Sequence, residues 1–199
     1  MTTRCPPPMH PPSPQRQRGA ALVEALVALL VVAFGVLGFI GLQARTAISS
    51  LEGYQRAQGM ALVQDMAERI TLNRTGAVKD YYLRDAVGVN GVCTVPPAPP
   101  AGAVPGFAAG AFDLANTDVC EWHALVRQAM GQPGAELARV RGCISATGNA
   151  GELLVSLVWQ GVQRTAATPL TCGSDDATAF PDPSLRRGVS TVVRIGSLL

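Results

Sequence analysis

Residues 20–42, AALVEALVALLVVAFGVLGFIGL, form an apolar run of 23 residues that carries a single charge, Glu24. As a helix rising about 1.5 Å per residue it reaches about 34 Å, enough to cross the hydrocarbon core of a bilayer. The apolar part of a simple cleaved secretory signal is only about 7–15 residues, so the run predicts a retained anchor. Arg4, Arg16 and Arg18 precede it, and only Arg45 follows closely. The preference of Lys and Arg for the cytoplasmic side then predicts a cytoplasmic N-terminus and a translocated remainder.

Composition supports this division. The 199 residues are 48% hydrophobic and only 15% charged, which excludes disorder along the whole chain. The formal charge of +2 comes from the first 19 residues, where three of the 16 basic groups and none of the 14 acidic ones lie. Without that segment the balance is 13 basic against 14 acidic groups, so there is no electrostatic footprint for nucleic acid. Residues 1–19, rich in Pro and Arg and without periodicity, read as an unstructured leader.

The helical pattern continues past the apolar run. No proline stands between Pro14 and Pro96, and Ala47, Ile48, Leu51, Tyr54, Ala61, Leu62, Met66 and Ile70 recur at steps of three and four. One helix from about Leu22 to about Asn73 is predicted, about 78 Å long, with Gly76 as its stop. The first half is apolar all round and wants lipid or other apolar helices; the striped second half wants a folded head. Residues 20–75 are therefore assigned to the helix and 76–199 to the head. Residues 94–112, dense in Pro, Gly and Ala, predict a surface loop. Asp118, with Glu121 three places later, predicts the capped start of a short helix closed by Gly131, with Trp122 on its buried side. Runs at 138–146 and 152–164, separated by TGNAG, predict a hairpin in which Leu153, Val155, Leu157 and Trp159 face the long helix. A last alternating run at 188–197 completes the sheet. The expected fold class is α+β: a long N-terminal helix packed on an antiparallel sheet of three or four strands.

A carboxylate within an apolar run costs about 2.5–3.5 kcal/mol at a bilayer centre, and less near the boundary. Glu24 can complement the helix N-terminus, lie at the interface, or pair with a cation. Cleavage after Gly19 would free an ammonium on Ala20, which Glu24 of a neighbouring subunit could neutralise. A buried pair of that kind sets register more than stability. Gly35, Gly38 and Gly41 recur every three residues, and fit either tolerance of glycine in membrane helices or close helix approach.

The string RQRG–AALVE at 16–24, with Gly19, Leu22, Val23 and Glu24, resembles the class III signal of type IV prepilins. The segment from Gly35 to Gln43 and the pattern of Cys143, Trp159, Cys172, Arg186 and Arg187 in the head resemble the PilV-type minor pilins. The lack of a kinking proline near Gly41 also fits the minor class. The resemblance implies cleavage after Gly19 by prepilin peptidase, methylation of Ala20 and a role for Glu24 in assembly. It implies as partners other minor pilins, the major pilin, prepilin peptidase and the inner-membrane assembly platform. The implied location is the inner membrane with a periplasmic head, then the pilus. A type II secretion pseudopilin of the GspI kind uses the same leader logic, and a single-pass periplasmic binding module that never polymerises is a third reading.

Cys5 lies in the leader, leaving Cys93, Cys120, Cys143 and Cys172, an even set suited to an oxidising compartment. Of the possible pairings we favour Cys143–Cys172, closing a loop around the strand with Trp159, and Cys93–Cys120, clamping the connector to the short helix. No C-x-x-C spacing suggests redox chemistry or zinc. With His10 in the leader, His123 is expected to be a surface or satisfied residue and not a base. No nucleophile, phosphate-binding or metalloprotease motif occurs, so neither enzymatic activity nor a cofactor is expected.

Overall fold

A computed structural model describes residues 20–89, 92–93, 95–96, 107–130 and 139–196. The expected leader 1–19 with Gly19, the expected stop Gly131 and most of the segment 94–106 lie outside the described residues. The chain divides into two compact units, residues 1–47 and 48–199.

Helix α1 runs from Ala20 to Leu72 without interruption, 53 residues. In the first unit it is the only described element, and every residue from Ala21 to Ala47 is exposed. In the second unit it packs on a four-stranded antiparallel sheet of order β1-β2-β3-β4. The strands are β1 (Arg84–Val87), β2 (Val140–Ala146), β3 (Glu152–Gln160) and β4 (Arg186–Arg194). The expected α+β architecture is thus present and is consistent with a pilin-like fold.

The core forms where α1, the sheet and a second long helix, α3 (Phe107–Met130), meet. Leu62, Val63, Met66 and Ile70 supply the α1 stripe. Leu153, Val155, Leu157 and Trp159 supply the expected face of β3, joined by Val140 and Ile144 of β2 and Val189 and Val193 of β4. Trp122 is fully buried and donates from Nε1 to the Leu62 carbonyl at 2.8 Å, tying α3 to α1. It needs Gly142 opposite, where a Cβ would stand 2.6 Å from the indole. The TGNAG turn joins β2 to β3, with Gly148 and Gly151 at φ of 92° and 73°, a region that favours glycine. On the other face of the sheet Cys143, Val158, Cys172, Ala179 and Phe180 form a smaller core.

Several expectations are corrected. Asp118 does not cap a helix: α3 begins at Phe107, inside the segment expected to be loop, and Asp118 is buried midway along it. The run FAAGAFDLAN is rich in helix formers, and Phe112 and Ala115 extend the buried stripe of Val119, Trp122 and Val126. Gly76 does not end the long helix. α1 stops at Leu72, and Asn73 caps a five-residue helix, α2 (Arg74–Val78), by accepting from the Gly76 amide at 3.1 Å. A Cβ at 76 would lie 2.5 Å from the Asn73 amide nitrogen, which accounts for that glycine. The α1 stripe is not buried along its whole expected length: Leu51 and Tyr54 are 46% and 61% exposed, because Glu52 faces the head at this level. The second expected strand, 152–164, ends at Gln160. β1 is a short strand that the pattern did not announce.

Candidate functional site

The feature that demands a function is the first half of α1. Fourteen large apolar side chains from Leu22 to Leu42 are each 49–69% exposed. Soluble monomers rarely leave a continuous apolar surface of this kind in water. The helix is long and apolar enough to cross a membrane. At about 0.3–0.6 kcal/mol of favourable insertion for each, fourteen such side chains supply about 4–8 kcal/mol, more than the full central cost of Glu24.

Ala20 is the first residue of α1, and Glu24 follows just beyond the first turn. At 3.6 residues per turn, Gly35 and Gly38 lie within about 40° of Glu24 around the axis, and Gly41 about 100° away. Glu24 therefore shares a face with Val27, Val31, Gly35, Gly38 and Leu42. Among the described residues a Cβ at Gly35, Gly38 or Gly41 would touch nothing within 4 Å, so none of their contacts accounts for these glycines. Another surface can approach the backbone closely there.

The second half of α1 is clamped to the head by two polar sites. In the first, Arg69 bonds Asp65 at 2.9 Å on its own helix and Glu121 at 2.5 Å on α3, with Asp118 at 3.5 Å. Asp118 also accepts from the buried Tyr82 hydroxyl at 2.5 Å. The bond to Glu121 holds the Arg69 guanidinium charged and raises its pKa despite some desolvation. Burial, followed by the bond to Asp118, raises the Tyr82 pKa. In the second site Glu52 accepts from the amides of Val162 and Gln163 at 3.2 and 2.9 Å and lies 3.5 Å from Arg187. The pattern of α1 did not reveal these clamps, because Glu52, Asp65 and Arg69 read there as solvent-facing charges.

The four head cysteines form Cys93–Cys120 and Cys143–Cys172, each pair with Cα atoms 5.4 and 5.8 Å apart respectively. The second bond fastens β2 to the long excursion between β3 and β4. Arg186, buried, fastens it again by donating to the carbonyls of Thr168, Leu170 and Cys172. An open depression of about 600 Å³ lies beside that disulfide, lined among others by Arg84, Asp85, Arg141, Ser156 and Thr171. Burial lowers the pKa of Arg84 there, and Arg141 is held by Asp175 and Asp176. His123 is buried, with Nδ1 accepting from the Gly88 amide at 3.0 Å. Among the described residues, no group of three or more His, Cys, Asp or Glu side chains could hold a metal ion. Compared with protein-family models, curated proteins and solved structures, the chain gives no match.

Proposed function

We propose that the chain is a minor pilin of a type IV pilus, of the PilV type, whose work is structural. It is made with the leader 1–19, cut after Gly19 by prepilin peptidase and methylated at Ala20. It waits in the inner membrane with its head in the periplasm, and then enters the pilus, where it helps to prime or cap assembly beside other minor pilins and the major pilin. The observation that carries this reading is a single uninterrupted helix with one character in each half. From Ala21 to Ala47 it is exposed, apolar as far as Leu42 except at Glu24, and from Leu62 to Ile70 it is the spine of a head closed by two disulfides.

The mechanism is transfer of the apolar half from lipid to a bundle of similar helices. Both surroundings are apolar, so the move changes little hydrophobic free energy, and polar contacts and close packing decide the register. Glu24 of one subunit facing the new ammonium on Ala20 of the next supplies the polar contact. The glycines on the same face let backbones approach.

Mass spectrometry of the mature protein tests the processing step. A chain beginning at methylated Ala20 is expected, and a chain that keeps its leader would point to a plain anchor. Glu24→Gln tests assembly. The variant is expected to be cleaved and to remain in the inner membrane while its recovery in sheared pili falls at least tenfold, about 1.4 kcal/mol. Normal recovery of that variant in pili would overturn the pairing.

A further inference from the structure

Helix α1 is held to the head in two different ways along its length. From Leu62 onward the hold is apolar, with Leu62, Val63, Met66 and Ile70 buried in the main core. Between Ile48 and Gln58 no residue of α1 is buried, and only Ile48, Glu52, Gln55 and Gln58 are partly so. Among the described residues, the hydrogen bonds and ion pair from this stretch to the rest of the head all run through Glu52. They reach the amides of Val162 and Gln163 and the guanidinium of Arg187. The first buried position is Gly59, where a Cβ would stand 3.1 Å from the indole of Trp159.

The packing before Gly59 is also incomplete. An open cavity of about 300 Å³ lies between Ser49, Gly53 and Arg56 of α1 and Trp159, Arg187 and Gly188 of the sheet. Gln55 Oε1 and the Trp159 indole N–H are both buried with no hydrogen-bond partner among the described residues. A buried acceptor or donor in that condition has lost its water and gained nothing in return, which disfavours the docked arrangement. Undocking of this stretch breaks the Glu52 bonds, but it returns both groups to water and withdraws no buried apolar side chain of α1. The docked and released arrangements therefore lie close in free energy.

We propose that α1 has a joint at Gly59. The stretch from Ile48 to Gln58 leaves the head and redocks, with Glu52 as its latch, while the spine from Leu62 to Ile70 stays in place. Glycine is the weakest point of a helix, and this one stands at the boundary between the two kinds of hold. The joint concerns the head alone and does not depend on the pilin reading. It lets the head release its outermost support on α1 without unfolding.

The test compares hydrogen exchange at the two indole N–H groups of the full chain in detergent micelles. The Trp122 indole, bonded to the Leu62 carbonyl inside the core, exchanges only when the head itself opens. The Trp159 indole exchanges whenever the joint releases, and is expected to do so about a hundredfold faster or more. Glu52→Ala removes the latch and is expected to speed Trp159 about fivefold further, leaving Trp122 unchanged. Gln55→Leu removes the unpaired acceptor from the docked arrangement and is expected to slow Trp159 by a similar factor. The Trp122 signal in each sample reports whether the variant is folded. Equal exchange at the two indoles of the unsubstituted chain would overturn the proposal without any variant. So would a Trp159 rate indifferent to Glu52→Ala, or one raised by Gln55→Leu, where Gln55 shields the indole.

Discussion

The Tyr82 hydroxyl donates to the Asp118 carboxylate across 2.5 Å, with both side chains buried where α1, α2 and α3 converge. A carboxylate in such a place is tolerable only with its partners in position, here Tyr82 and the more distant Arg69. Asp118→Ala leaves the phenol without an acceptor and is expected to destabilise the head by about 1–3 kcal/mol. Asp118→Asn keeps an acceptor and is expected to lose less. Chemical denaturation of the two variants provides the comparison.

The same pair predicts an alkaline limit. The folded-state pKa of Tyr82 is raised above its ordinary value of about 10. Its contribution to stability is complete below that value and is lost as pH rises through the folded-state pKa. Denaturation midpoints are expected to hold between pH 7 and 9 and to fall from about pH 10 upward. Tyr82→Phe is expected to fall less steeply over that range. An unchanged alkaline slope in Tyr82→Phe would show that another group governs it.

At Gly142 a methyl group has no room. Its Cβ would lie 2.6 Å from one indole carbon of Trp122 and 3.3 Å from the Cβ of Val87. The indole is fixed by its bond to Leu62, so Gly142→Ala is expected to destabilise by about 1–3 kcal/mol through overpacking. A lowered thermal midpoint together with altered Trp122 fluorescence is the signature.

Glu52 holds the segment after β3 with two backbone amides. Glu52→Ala is expected to speed amide exchange at Val162 and Gln163 selectively, with a loss of about 1 kcal/mol. Glu52→Gln keeps the acceptor oxygen and is expected to keep most of the protection.

The two disulfides span sequence separations of 27 and 29 residues. Replacing Cys143 and Cys172 together by Ser is expected to lower stability by about 2–4 kcal/mol, and the Cys93 and Cys120 pair by a similar amount. Denaturant titrations with and without reductant measure both, and a reduced wild-type head should resemble the quadruple variant.

Much of this fold is legible in the sequence because its strongest signals are periodic. The apolar run, the α1 positions Leu62, Met66 and Ile70 and the alternating face of β3 are each set by burial, and burial imposes a period. α3 was legible only in part, since Pro and Gly from 94 to 106 overshadow the alanine-rich run that follows. Asp118 and Glu121 imitate a cap because both face Arg69, which is a tertiary reason hidden from local sequence. β1 is four residues long with charge at two of them, too short to establish alternation. In the candidate site Glu24 and the glycines were visible as exceptions to an apolar pattern, and Ala20 only through the resemblance carried by the string at 16–24. The clamps at Glu52 and Arg69 were not, since charges on a stripe's polar side look alike whether they meet water or a neighbouring loop.

The excursion between β3 and β4 is rooted twice, covalently through Cys172 and by the three carbonyls that Arg186 gathers. Anchoring at the root leaves only part of the tip bound to the fold: Ala179 and Phe180 are buried, and Asp175 and Asp176 pair with Arg141. The exposed Ser174, Ala177 and Thr178 can change over generations while the scaffold beneath them keeps its shape. These are the positions of the excursion where related chains should differ most.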